Sequence, residues 1–177
     1  MNGLFIRESR PLGMPLTIDE HEVRAAAGLT MVIGAAAFVF AFFERQFLPL
    51  QIVTALFAVE FLVRVTSGLR YSPIGIVARA ITPGRPPEWV SARPKRFAWT
   101  LGLAMSLSMT IVINSGVRGV LPVTVCLVCL ALMWLESVLG LCVGCEIARV
   151  LMRRGWMRGD PGTEICAGGR CDVPRRG

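Results

Sequence analysis

Four long apolar runs dominate the chain: Ala25–Phe43, Phe47–Val65, Phe97–Ser115 and Val120–Leu141. Crossing a hydrocarbon core about 30 Å thick takes roughly 20 helical residues, and each run has about that length. None alternates apolar and polar positions as a barrel strand does, and lipid offers exposed backbone no hydrogen-bond partner, so the runs predict helices. The expected fold is an all-α integral membrane protein with four transmembrane helices, arranged as two hairpins.

The segments between the runs are of different kinds. Residues 1–23 are polar and contain Pro11 and Pro15, which predicts an irregular leader. In TIDEHEVR, Thr17 or Asp19 can cap the first helix, with acids in its first turn where the helix dipole favours them. Asp19 and Arg24 can pair there. The stretch YSPIGIVARAITPGRPPEWV is too interrupted by proline to span, but Ile74–Ile81 within it predicts a short amphipathic helix on the membrane surface. Tyr71, Trp89 and Trp99 suit the membrane interface, and Asn114 reads as a cap at the outer end of the third span. The membrane domain thus covers 24–152, and residues 153–177 form a tail rich in Gly, Pro and Arg without periodicity.

An internal repeat organises the pattern. VRAAAGLTMVIG (Val23–Gly34) parallels KRFAWTLGLAMS (Lys95–Ser106), and AVEFLVRVTSG (Ala58–Gly68) parallels MWLESVLGL (Met133–Leu141), so Glu60 corresponds to Glu136. GIVAR (Gly75–Arg79) parallels CEIAR (Cys145–Arg149). Each half reads as a helical hairpin with a short amphipathic extension. Both halves start on the same side, which makes the repeat parallel rather than inverted.

Composition agrees with the pattern. The chain of 177 residues is 54% hydrophobic, with a mean hydropathy of +0.59, too apolar for an ordinary soluble domain. The first run contains small residues suited to signal-peptide cleavage, but 24 residues with four acids precede it, so it reads as a retained span. The net charge of +7 is concentrated between Ser67 and Arg96, where Arg70, Arg79, Arg85, Arg93, Lys95 and Arg96 face one acid, Glu88, and after Cys145. The positive-inside rule then places both termini and the middle segment in the cytoplasm. These residues read as topology signals and lipid-headgroup contacts, not as a nucleic-acid site.

The residues able to carry chemistry are few. Cys142 and Cys145 lie three apart, with Cα atoms near the separation a disulfide needs. In a reducing cytoplasm such a pair reads as redox-active more readily than as a structural bridge. Reactive pairs usually sit at a helix N-terminus, where the dipole favours the thiolate, whereas these lie near the C-terminal end of a span. Gly140 and Gly144 could break that helix so that a new one starts near Cys145, and Arg149, Arg153 and Arg154 could favour a thiolate. Metal ligation and plain interhelical packing remain open. Cys166 and Cys171 read as auxiliary thiols in the tail; with Cys142 and Cys145 they could complete a zinc or iron–sulfur site. No cofactor is otherwise expected. Cys126 and Cys129 read as packing residues.

Charges inside the spans are the other candidates. Glu60 and Arg64 are four apart on one helix and can pair, and Arg64 could bridge Glu60 to Glu136. That cluster reads as a structural clamp or as a proton or anion route. The single histidine, His21, reads as exposed. No nucleophile–base set, phosphate-binding loop or dinucleotide fingerprint occurs, which leaves ordinary hydrolase and nucleotide-dependent chemistry without residues.

Arg24-Ala25-Ala26-Ala27, Arg70-Tyr71-Ser72-Pro73, Lys95-Arg96-Phe97-Ala98 and Leu139-Gly140-Leu141-Cys142-Val143-Gly144-Cys145-Glu146 together resemble successive motifs of a bacterial membrane family, domain of unknown function 4395, over about residues 17–152. The resemblance implies a four-helix protein of the bacterial cytoplasmic membrane with a CxxC at the end of its last span. It also implies neighbourhood with thioredoxin-like or sulfur-transfer proteins. The pairs Cys126/Cys129 and Cys166/Cys171 depart from the family pattern. The expected function is membrane thiol-redox or sulfur handling by Cys142 and Cys145 with a thioredoxin-like or rhodanese-like partner. A non-catalytic subunit among the neighbours of a larger membrane complex is the alternative, and a small transporter of a sulfur species or protons a second.

Overall fold

The computed structural model describes residues 17–84 and 86–156, with the backbone of 165–167 and 170–172. In chain order the elements are β1 (Thr17–Asp19), α1 (Glu20–Phe43), α2 (Leu48–Thr66), α3 (Pro73–Ile81), β2 (Trp89–Ser91), α4 (Ala92–Asn114), α5 (Val120–Trp134), α6 (Val143–Arg153), β3 (Ile165–Ala167) and β4 (Arg170–Asp172). A π-helical turn, Leu135–Leu139, continues α5. Among the described residues, helices α1, α2, α4 and α5 with its π turn are the four long and apolar enough to cross a membrane.

Local sequence explains the boundaries. Asp19 caps α1 by accepting from the His21 N–H at 3.0 Å, and its Oδ1 also accepts from the Glu88 N–H at 3.2 Å. Pro49 and Pro73 begin α2 and α3, where a missing N–H costs nothing because the first turn has no acceptor for it. Asn114 closes α4, its amide donating to the Thr110 carbonyl at 2.7 Å.

Several expectations are corrected here. The leader does not stay irregular to residue 23: β1 pairs antiparallel with β2, Ile18 opposite Val90, and α1 starts at Glu20. Residues 1–16 lie outside the described part. Part of the tail is ordered as strand, with β4 paired to β2 and to β3. Trp99 is buried among the helices, so its ring is not half wet. The second hairpin is not packed as one: α5 lies along α1 and barely touches α4, whose main partners are α2 and α6. Small residues explain the choice, since Gly28 faces Ser137 and Gly34 faces Leu130, letting α5 approach α1 closely.

Both halves share an order of elements, long helix, long helix, short helix. The short helices are alike in detail. In each, a residue with extended backbone caps the start: Ser72 Oγ accepts from the Gly75 N–H at 2.9 Å, and Cys142 Sγ accepts from the Cys145 N–H at 3.3 Å. The buried faces match too, Gly75 and Ala78 in α3 against Cys145 and Ala148 in α6.

Candidate functional site

The fourth span ends at Leu139, two residues earlier than its hydropathy suggests. Gly140 has φ +68°, a left-handed conformation that a Cβ disfavours, and its N–H and that of Leu141 both reach the Leu135 carbonyl. A helix end leaves carbonyls without intrahelical donors. Arg24 supplies them: Nε and Nη2 each donate to the Ser137 carbonyl at 3.2 Å, and Nη2 donates to that of Val138 at 2.8 Å. Arg24 therefore does not pair with Asp19.

The break relocates the cysteines. They do not finish a span; Cys142 caps α6 and Cys145 lies in its first turn. This is the helix N-terminus that a reactive pair needs, since the dipole and free N–H groups there favour negative sulfur. Both side chains are buried, at 3% and 2% exposure, so a soluble protein does not reach the sulfurs in this conformation. Their thiols are hydrogen-bonded to each other. That bond, burial and the Glu136 carboxylate push the Cys142 thiol well above its ordinary value, and the Lys95 ammonium opposes them. Gly144 admits α6 to α4: a Cβ there would stand 2.6 Å from Ala98 Cβ.

Lys95 is the centre of the charge cluster. Its Nζ donates to Glu20 Oε1 at 3.1 Å and to Glu136 Oε1 at 3.2 Å. Glu20 Oε2 stands 3.0 Å from the same nitrogen but lacks hydrogen-bond geometry to it. The ammonium's charge also acts on both Cys142 and Cys145. Glu60 and Arg64 pair as their spacing predicts, with Nε and Nη2 at 2.9 and 2.8 Å from Glu60 Oε1, and Arg64 lies over the Phe61 ring. Arg64 does not bridge to Glu136; its other acceptor is Thr30 Oγ1, at 3.4 Å. Glu60 Oε2 accepts from the Ile74 N–H at 3.4 Å, so its carboxylate sits at the start of α3.

Sequence reasoning missed Lys95 and Glu20 as site residues. Lys95 reads as one of several membrane-edge cations, yet it is 5% exposed. The available signal was an acid pair, Glu20 and Glu22, opening one span and a cation opening another at the same edge. His21 is half-buried and lies 4.0 Å from Glu88 rather than standing exposed.

A cavity of about 580 Å³ runs between α1, α2, α4 and α5. Its walls are apolar along most of their length, and Thr30, Arg64, Glu136 and Cys142 gather in its lining. Cys126 and Cys129 line it as well, on α5, and Cys126 also packs against the core cluster that includes Leu50 and Ile113. Among the described residues no three His, Cys, Asp or Glu side chains are grouped to hold a metal. The backbone register sets Cys166 opposite Cys171, but their side chains lie outside the described part, as does a four-cysteine site that would include them.

No curated protein and no solved structure matches the chain. A family model does, over residues 18–153, a range that takes in helices α1 to α6 and the CxxC. The chain belongs to the family described as domain of unknown function 4395.

Proposed function

We propose that this is a multi-pass membrane protein that performs thiol–disulfide redox chemistry at Cys142 and Cys145, on the cytoplasmic side of a bacterial inner membrane. The observation that carries the reading is the position of Cys142 as the cap of α6, with Cys145 in its first turn and the Lys95 charge acting on both sulfurs. A helix cap alone needs no sulfur: Ser72 does the same work for α3, at the place that the internal repeat assigns to Cys142. The first half is then scaffold, and the second carries scaffold and chemistry.

In oxidation, one sulfur attacks an acceptor, the other displaces it, an S–S bond replaces two S–H bonds, and two electrons and two protons leave. Glu136, whose charge bears on Cys142, would take the proton. Lys95 stabilises the thiolate that forms. A thioredoxin-like or sulfur-transfer partner would exchange equivalents after α6 moves off the sulfurs. The basic segments flanking α3 and following α6 support cytoplasmic placement.

Quantitative thiol labelling across a glutathione redox series tests this, with Cys142→Ser as control. A reversible two-electron transition lost in the control is the expected result. Thiols that stay reduced and unreactive throughout would leave the pair as packing and favour the accessory-subunit reading.

A further inference from the structure

The cavity is built for one kind of ligand. It contains wall residues from Leu121 to Glu136 on α5, fifteen positions apart, which a helix spreads over about 22 Å. Helices α4 and α5 both line it yet barely touch, so it lies in the gap between them, and α5 buries little of its own surface. An amphipathic molecule can enter such a gap from the bilayer.

The polar residues in the lining are specific. Arg64 is 3% exposed, and Glu60 and Thr30 engage its Nε and Nη2, which leaves Nη1 as the guanidinium nitrogen that neither of them holds. A guanidinium in the cavity lining can donate from that nitrogen to an acceptor oxygen on a ligand. Cys142 and Glu136 line the same cavity, a thiol and a carboxylate. A ligand with an apolar tail, a carbonyl and the capacity to take two electrons satisfies all three.

We propose that the cavity binds a membrane-soluble quinone, with its ring at Arg64, Glu136 and Cys142 and its tail in the gap between α4 and α5, and that the quinone oxidises the Cys142–Cys145 dithiol. Binding stands on the cavity; the electron transfer rests on the thiol-redox reading above. Arg64 Nη1 donates to a quinone carbonyl, drawing electron density from the ring. Cys142 sulfur adds to a ring carbon as Glu136 takes its proton, forming an S–C bond. Cys145 sulfur then attacks Cys142 sulfur, losing its own proton. The S–S bond forms, the S–C bond breaks, and its electron pair stays on the ring. With both protons on the two oxygens, the products are one hydroquinone and one disulfide.

The test uses the full chain, reduced, in nanodiscs under anaerobic conditions, with decylubiquinone as probe. Trp99 lines the cavity and reports binding by fluorescence quenching. The expected results are saturable quenching and one hydroquinone formed for each pair of thiols lost, with no hydroquinone formed by Cys145→Ser. Ala104→Phe, which fills an exposed position on the cavity wall, should slow hydroquinone formation at least tenfold. A pair that cycles with glutathione while decylubiquinone neither quenches nor is reduced overturns the quinone proposal and leaves the thiol reading standing. Saturable quenching with thiols that stay reduced against both quinone and glutathione overturns the thiol reading and the electron transfer with it. Displacement of the probe by oleate at equal concentration overturns the assignment of the site to a quinone ring.

Discussion

Lys95 Nζ stands 3.2 Å from Glu136 Oε1, although 41 residues separate the two, and the same nitrogen holds Glu20 on a third helix. One buried cation therefore ties the starts of α1 and α4 to the end of α5. Taking two carboxylates out of water is expensive, and here the ammonium offsets it for both. Lys95→Met leaves the carboxylates without a counter-charge and should cost about 3–5 kcal/mol. Denaturant unfolding in detergent measures this. Adding Glu20→Gln and Glu136→Gln should restore most of the loss, because the uncompensated charge, not the missing contact, is its cause.

Cys142 has two separable roles, and two substitutions divide them. Cys142→Ser keeps an acceptor for the Cys145 N–H, so stability should stay close to the parent while redox cycling disappears. Cys142→Ala removes the cap and should destabilise by about 1 kcal/mol. Equal stability of the two variants would show that the sulfur contributes nothing as a cap.

Gly144 and Ala98 hold α6 to α4 at a distance no additional methyl group fits, since a Cβ at 144 would lie 2.8 Å from the Ala98 Cα. Gly144→Ala should cost about 1–3 kcal/mol by overpacking and make the cysteines easier to alkylate as α6 lifts. Ala98→Gly in the same chain should recover much of both effects. Independent, additive effects in this double-mutant cycle would disprove the contact.

Gly140→Ala meets a different obstacle. Its left-handed backbone disfavours any Cβ by about 1 kcal/mol, with Arg24 Nη1 another 3.4 Å away. The clamp of Arg24 on the Ser137 and Val138 carbonyls depends on the chain turning there. Denaturant unfolding of Gly140→Ala beside Gly155→Ala, a position at φ +76° with open space around it, separates the backbone cost from the loss of the Arg24 clamp.

Alkylation should follow the protonation of Cys142. Its thiol lies above the ordinary value of 9.0 because of the Cys145 hydrogen bond, then burial and Glu136. Iodoacetamide modification of Cys142, read by peptide mass, should stay slow through neutral pH and still be rising above pH 9. The linkage has a definite sign: in the unfolded chain the thiol ionises first, so this group's contribution to stability is full below pH 9 and falls as pH rises beyond it. A midpoint at or below 9 would contradict the burial.

The four apolar helices were legible because length and continuous hydrophobicity are properties of the chain alone, as was the Glu60–Arg64 pair, four residues apart on one helix. The short helix after each second span was legible from its amphipathic pattern. Where the fourth span stops was legible only as an option, a break at Gly140 and Gly144: Leu139 and Leu141 are as apolar as their predecessors, and the positive φ of Gly140 and the donors of Arg24, brought from α1, decide it. That break decides the chemistry, because it moves the cysteines from the end of one helix to the start of another. Pairing of α5 with α1 instead of α4, the meeting of Lys95 with Glu20 and Glu136, and the cavity that results are likewise tertiary. Residues 41 and 75 positions apart meet only when helices choose neighbours, and that choice is made by shape at small residues such as Gly28, Gly34 and Gly144, which hydropathy does not register.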